Sequence, residues 1–214
     1  MLKRTGLEST AEEMIEMPVY HGSSKTMDIP DIVFPGPRED CDFGRGFYVT
    51  QHKIIAEEWV IKEAIPIINK YILKAPKRDV LRLAGTDWLK VVIGYRTNAF
   101  PASLKSPIVC GTIANDRLVP SFNAFMGETI GDLRLLECLE LAELGDQYSL
   151  RKSAKYLEWE GSYQLKGMEL ERAVMRNRNR MSNMHNRVRE IYRKQIEGEK
   201  FIYEYLEEGG YNEV

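Results

Sequence analysis

With 214 residues, 43% of them hydrophobic, the chain is long enough for one sizeable core and a small appendage. No apolar run approaches the ~20 residues that cross a bilayer, and the first residues lack the apolar stretch and small-residue cleavage site of a secretion signal; a soluble, cytoplasmic protein is expected. The charge is lopsided: between Arg172 and Lys194 eight basic residues meet only Glu190, a net of +7 in a chain whose total is −2, which leaves −9 on the rest.

Residues 17–22 read as a short strand, with Pro18 tolerated near its start and Gly22 ending it. A short extended piece at 31–33 precedes a proline-glycine loop at 35–38. Residues 46–50 are β-rich, and Thr50 stands where an N-cap would open a helix to about residue 64, with Ile55 and Trp59 on one face and Ala56, Val60 and Ala64 beside it. Strands are expected at 67–73 and 79–83, a helix at 87–95 around Trp88, Val91 and Val92, and an apolar strand at 107–111. A second strong helix starts at Thr129, with Asp132 as capping-box partner and Leu133, Leu136, Leu139 and Leu141 inward. Strands at 147–150 and 157–165 follow. From 168 to 206, Leu170, Val174, Met181, Met184, Val188 and Ile191 recur at helical spacing, as one long or two shorter amphipathic helices. Strands and helices do not alternate regularly, so the expected class is α+β rather than a doubly wound parallel sheet.

Cys41, Cys110 and Cys138 are odd in number and without a C-x-x-C pair, so neither a disulfide framework nor a zinc site is indicated. The three histidines, His21, His52 and His185, lie near no nucleophile motif such as G-x-S-x-G, which starts hydrolase readings weak. The richest segments are Tyr20-His21-Gly22-Ser23 and Phe43-Gly44-Arg45-Gly46-Phe47-Tyr48-Val49-Thr50. An imidazole can hydrogen-bond a ribose hydroxyl, a glycine lets main-chain groups approach a planar amide, and a tyrosine face can stack on a flat ring. Together they suit NAD as a substrate to be cut.

These motifs resemble the His-Tyr-Glu branch of the ADP-ribosyltransferases, the diphtheria-toxin and poly(ADP-ribose)-polymerase lineage. Within it the chain is similar to an uncharacterised bacterial family of presumed toxin-type ADP-ribosyltransferases. The likeness extends over 17–165 and includes Asp87-Trp88-Leu89 with Arg96, the segment from Ile108 through Asn115, Asp116 and Arg117, and Gly145-Asp146-Gln147-Tyr148. It implies a split antiparallel β-sheet with flanking helices, an N-terminal extension (1–16), a transferase-like domain (17–165) and a basic helical extension with an acidic end (166–214). It also implies NAD in a cleft between the sheet halves. His21 would lie on ribose hydroxyls of the adenosine or the nicotinamide side, Gly22 would hold the carboxamide through its main chain, and Tyr48 would stack on the nicotinamide. Ser23, Gly44, Arg45, Gly46, Phe47, Asn115 and Asp116 would complete the NAD site, with no metal.

The third motif position, usually glutamate in the lineage, falls on Gln147. A neutral amide neither stabilises positive charge as a carboxylate does nor takes a proton, although it can bond a ribose hydroxyl or orient an acceptor. Loss of a general base costs ~10²–10⁴ in rate. The implied activity is therefore a single transfer of ADP-ribose to a macromolecule, a protein in preference to nucleic acid, by the toxin of a toxin–antitoxin pair. An inactive binding module and an NAD glycohydrolase are the alternatives. Plainer roles exist for each residue: His21 and Tyr48 as core, Gly44 and Gly46 as turn formers, Asn115-Asp116 as a turn, Gln147 as an edge-strand amide, and the arginine-rich helix as a solvated face that pairs with Glu204, Glu207, Glu208 and Glu213. The enzymatic reading expects the imidazole of His21 and the phenol of Tyr48 to face one another across a pocket.

Overall fold

The computed structural model describes residues 12–34, 36, 38–39, 41–98, 104–114 and 121–211. Their strands are β1 (Met14–Ser23), β2 (Phe47–Thr50), β3 (Ile67–Pro76), β4 (Val80–Arg82), β5 (Ile108–Thr112), β6 (Asp146–Leu150) and β7 (Leu157–Gln164). Helices are α1 (Lys53–Val60), α2 (Gly85–Thr97), α3 (Ser121–Met126), α4 (Asp132–Ala142), α5 (Gly167–Tyr192) and α6 (Ile202–Glu208). The class is α+β, as expected. All seven strands join one sheet in the order β4-β5-β6-β2-β1-β3-β7. The sheet is mixed rather than purely antiparallel, because β4 and β5 run parallel and α2 makes the crossover between them.

The joint in the middle of the sheet is narrow. β1 pairs with β3 along its whole length, from Met14↔Pro76 to Ser23↔Ile67, but meets β2 only at Tyr20↔Thr50. β2 in turn pairs with β6 from Phe47↔Leu150 to Thr50↔Gln147. Past Tyr20, β1 therefore keeps its β3 neighbour and, among the described residues, has no ladder partner on its β2 side.

Core packing locks the helices around this joint. One cluster gathers Phe43, Trp88, Leu89, Val92, Phe125, Leu135 and Tyr205 beneath α2, α3, α4 and α6. A second holds Val19, Phe47, Val49, Tyr71, Leu73, Tyr148 and Leu150 from the strands. α5 is not a detached arm: Ala173 packs with Ala56, Val60 and Ile68, while Met184, Val188 and Ile191 pack with Ile55, Cys138 and Ala142. Buried Glu57 and Glu58 on α1 receive Arg176 and Arg180 of α5, the latter at 3.2 Å. The arginines thus find carboxylates on α1. Glu208, at the acidic end, pairs instead with Lys90 at 2.9 Å and with Lys200.

Several boundaries differ from expectation for identifiable reasons. Residues 29–31 form a 3₁₀ turn ahead of the expected extended piece, because Asp28 accepts the Ile29 N–H and pairs with Asp31 in a capping box. Thr50 is not a helix cap. Its hydroxyl donates to the Asp146 carbonyl at 2.9 Å and accepts from His52 N–H, which delays α1 to Lys53. α4 starts at Asp132 rather than Thr129, since the Asp132 carboxylate accepts from Leu133 N–H, Lys200 N–H and the Tyr205 hydroxyl. Leu133 and Val174, expected inward, are exposed. The region 168–206 resolves into two helices, and α3 was not anticipated.

Candidate functional site

The narrow joint is where the sequence motifs converge. His21, Tyr48 and Gln147 lie on β1, β2 and β6, three neighbouring strands drawn from positions 27 and 99 residues apart in the chain. His21 Nδ1 stands 2.7 Å from the main-chain carbonyl of Tyr48. A carbonyl only accepts, so Nδ1 carries the proton and the neutral ring presents Nε2 as an acceptor. Burial lowers the His21 pKa below its ordinary 6.5, and the bond to Tyr48 opposes that shift in part. The imidazole lies 4.4 Å from the Phe47 ring, which meets Tyr71 edge-on, and Tyr71 meets Trp159 in the same way.

The expected encounter of imidazole with phenol does not occur. Successive strand residues point to opposite faces, and His21 packs on Phe47 while Tyr48 turns the other way. The Tyr48 hydroxyl donates to the Gly44 carbonyl at 2.6 Å and accepts from Phe43 N–H at 3.0 Å, with its ring parallel to Phe43. Burial first, then Cys41 and Asp42, push the phenol well above its usual range, so it stays protonated. The link between His21 and Tyr48 runs through main chain, not ring to ring.

The glycines are where close approach requires them. A Cβ at Gly22 would stand 2.6 Å from Val60 Cγ1 and 2.7 Å from the Ala56 carbonyl oxygen, so α1 rests directly on this residue. Gly44 has φ +70°, and a side chain there would strike the Tyr95 ring. Gly46 is pressed against Ser149 and the Leu150 carbonyl. Arg45 is exposed and paired with Glu39. Phe47 is buried beneath His21, and Ser23 bonds Asn69 and Lys25. Asn115 and Asp116 lie outside the described residues.

Gln147 ends in a different environment. It is buried, and its Nε2 donates to Asp42 Oδ2. The same oxygen accepts Ala114 N–H at 3.0 Å, while Oδ1 accepts Arg96 Nε at 2.9 Å and Nη2. Arg96 also lies over the Phe122 ring at 4.4 Å. Both oxygens of Asp42 are thus engaged in tying the glycine loop to β5, β6 and α2. Asp42 and Asn69 escaped the sequence reading: an Asp in the acidic stretch before a glycine loop reads as a turn former, and a single Asn within a strand carries no periodic signal.

Residues 17–159 match the model of a family described as a protein of unknown function, DUF3990. The chain belongs to the DUF3990 family. That match takes in His21, Asp42, Tyr48, Asn69, Arg96 and Gln147, while α5 and α6 lie beyond it. No curated protein and no solved structure is matched. Among the described residues of this DUF3990 chain, no group of three or more His, Cys, Asp or Glu is arranged to hold a metal, and no helix is long and apolar enough to cross a membrane.

Proposed function

We propose that this DUF3990 protein is an NAD-dependent mono-ADP-ribosyltransferase that acts in the bacterial cytoplasm as the toxin of a toxin–antitoxin pair. The observation that carries the reading is the meeting of its three motif residues, His21, Tyr48 and Gln147, on adjacent strands at a joint where, among the described residues, β1 has no ladder partner beside β2 past Tyr20. Asn69 reaches the His21 carbonyl from the β3 side, and carbonyls alternate along a strand, so Gly22 turns its own main-chain groups toward the unpaired side. An open strand edge of this kind offers a donor and an acceptor to a planar carboxamide.

In this reading the neutral His21 accepts a ribose hydroxyl proton through Nε2 while Tyr48 holds Nδ1. Gly22 main chain receives the nicotinamide carboxamide, while the Tyr48 ring, on the opposite face from His21, holds the glycine loop through Phe43 and Gly44. The bond from ribose C1′ to the nicotinamide nitrogen breaks, its electron pair leaves on neutral nicotinamide, and the acceptor's nucleophile bonds to C1′ and releases its proton to water. Gln147 supplies no proton acceptor, which limits the enzyme to one transfer rather than polymer growth. The acceptor we propose is a protein, with an antitoxin as neutralising partner. The exposed Arg172, Arg178, Arg187 and Arg189 of α5 have no aromatic side chain interleaved to stack bases.

A second reading is a binding module that has lost catalysis, favoured by the engagement of Gln147 with Asp42. Nicotinamide release from NAD, followed chromatographically, separates the two. The transferase releases nicotinamide and labels macromolecule, and His21→Ala reduces release at least about 10²-fold, the usual effect of removing one preorganised group. Free ADP-ribose without labelled macromolecule identifies a glycohydrolase instead. No release at all, with partner binding intact, identifies the module.

A further inference from the structure

Asn69 is an unusual residue for its place. It lies within β3, between Ile68 and Lys70, and is fully buried; asparagine is depleted in strands, and a buried amide is costly unless its donors and acceptor are all engaged. Here they are. Nδ2 donates toward the His21 carbonyl at 3.4 Å, Ser23 Oγ at 3.1 Å and the Lys25 carbonyl at 3.2 Å, and Oδ1 accepts Met27 N–H at 2.8 Å. All four partners belong to residues 21–27, the stretch that begins at the candidate site and leaves the sheet.

The neighbours act on the same stretch. The Tyr71 hydroxyl donates to the Met27 carbonyl, and Thr26 Oγ1 meets Ser162 Oγ at 2.9 Å. In the ladder Asn69 is paired directly with His21, and paired residues of an antiparallel ladder share a face, so its side chain stands on the imidazole's side of the sheet. Among the described residues β1 has no ladder partner on the β2 side past Tyr20; residues 21–27 are held by Asn69 and Tyr71 of β3, by Ser162 of β7 and by the His21 bond to Tyr48, and the Asn69 amide reaches the most positions along the stretch.

We infer that Asn69 is a positioning residue: it fixes the main chain of residues 21–27 so that Gly22 and the His21 ring keep one geometry at the open strand edge. The inference rests on the reading of that edge as the NAD site. It assigns Asn69 to ground-state binding rather than to bond breaking, since none of its bonds involves a group that changes during the reaction.

Two variants test this. Asn69→Ala removes the whole amide; Asn69→Asp keeps size and the acceptor for Met27 but loses the Nδ2 donors. In nicotinamide release, each is expected to raise KM for NAD about 10-fold with kcat within about 3-fold, the signature of lost binding rather than lost transition-state contact. Amide exchange at Ser23, which the ladder pairs with Ile67, should accelerate by a similar factor while Leu73, deeper in β3, keeps its protection. Unchanged KM and unchanged local exchange in either folded variant would overturn the inference, as would a uniform loss of protection across the sheet or failure of both variants to fold. If the wild-type protein releases no nicotinamide, the NAD reading is what has failed, and the exchange pattern still decides whether Asn69 holds the strand end.

Discussion

The two ends of the joint between β1, β2 and β6 are built on opposite plans. At the His21 end, one ring nitrogen is fixed by main chain, the other stays an acceptor, and β1 runs on without a ladder partner beside β2. At the Gln147 end, the amide, Asp42, Arg96 and the Ala114 N–H satisfy one another in the interior. The first plan leaves hydrogen-bonding capacity for a ligand; the second consumes it to hold the glycine loop. In the proposed reading such a chain binds and orients NAD but carries no general base at position 147.

The sharpest way to break this comparison is Arg96→Met. It strips the cation from a carboxylate that is 7% exposed, and removing one partner of a buried pair costs about 3–5 kcal/mol. Urea unfolding should show that loss; a change below about 1 kcal/mol would mean Asp42 is not the fixed anchor described.

Gln147→Glu is the next test. A second carboxylate beside Asp42 makes a like-charge pair, so the pKa of one carboxyl in the folded state is raised. The variant should lose about 1–2 kcal/mol at pH 7, of the order of one pKa unit, and recover it as the pH falls and that carboxyl is protonated. Nicotinamide release should not improve. A gain of about 10²-fold would show that position 147 is a catalytic place lacking its base.

The smallest effect concerns pH at the His21 end. Because burial lowers the folded-state pKa of His21, the unfolded chain binds the extra proton first. Its contribution to stability is complete above the unfolded value of about 6.5 and declines as the pH falls from there toward the folded pKa. NAD binding should be flat through neutrality and weaken only below the lowered folded-state pKa of His21, where Nε2 gains a proton. His21→Asn should flatten the stability curve in that acid window.

Much of this was legible in the sequence where one local signal decided the outcome. The β-rich run ending at Thr50, the apolar strand at Ile108–Thr112 and the helical spacing from Gly167 each have a periodic pattern that packing confirmed. Where side chains make long-range bonds, local reading failed. Thr50 reads as a cap, yet its hydroxyl is taken by Asp146, 96 residues away. Asp132 reads as a capping-box partner but serves α6. The same limit explains the site: the motifs identified His21, Gly22 and Tyr48, while the direction of the phenol depended on Phe43 and Gly44, and the fate of Gln147 on Asp42, Ala114 and Arg96. The sequence offers Glu204, Glu207, Glu208 and Glu213 as partners for the basic arm, because Glu57 and Glu58, which receive Arg176 and Arg180, lie more than a hundred residues earlier.

The most direct measurement is a titration of the isotope-labelled protein with NAD, observed by NMR at the His21 ring nitrogens, the Gly22 amide and the Gln147 side-chain amide. The account predicts saturable shifts at His21 Nε2 and Gly22, with the Gln147 amide unmoved on Asp42. Absence of shifts at millimolar NAD, or shifts at Gln147 with His21 and Gly22 silent, would contradict it.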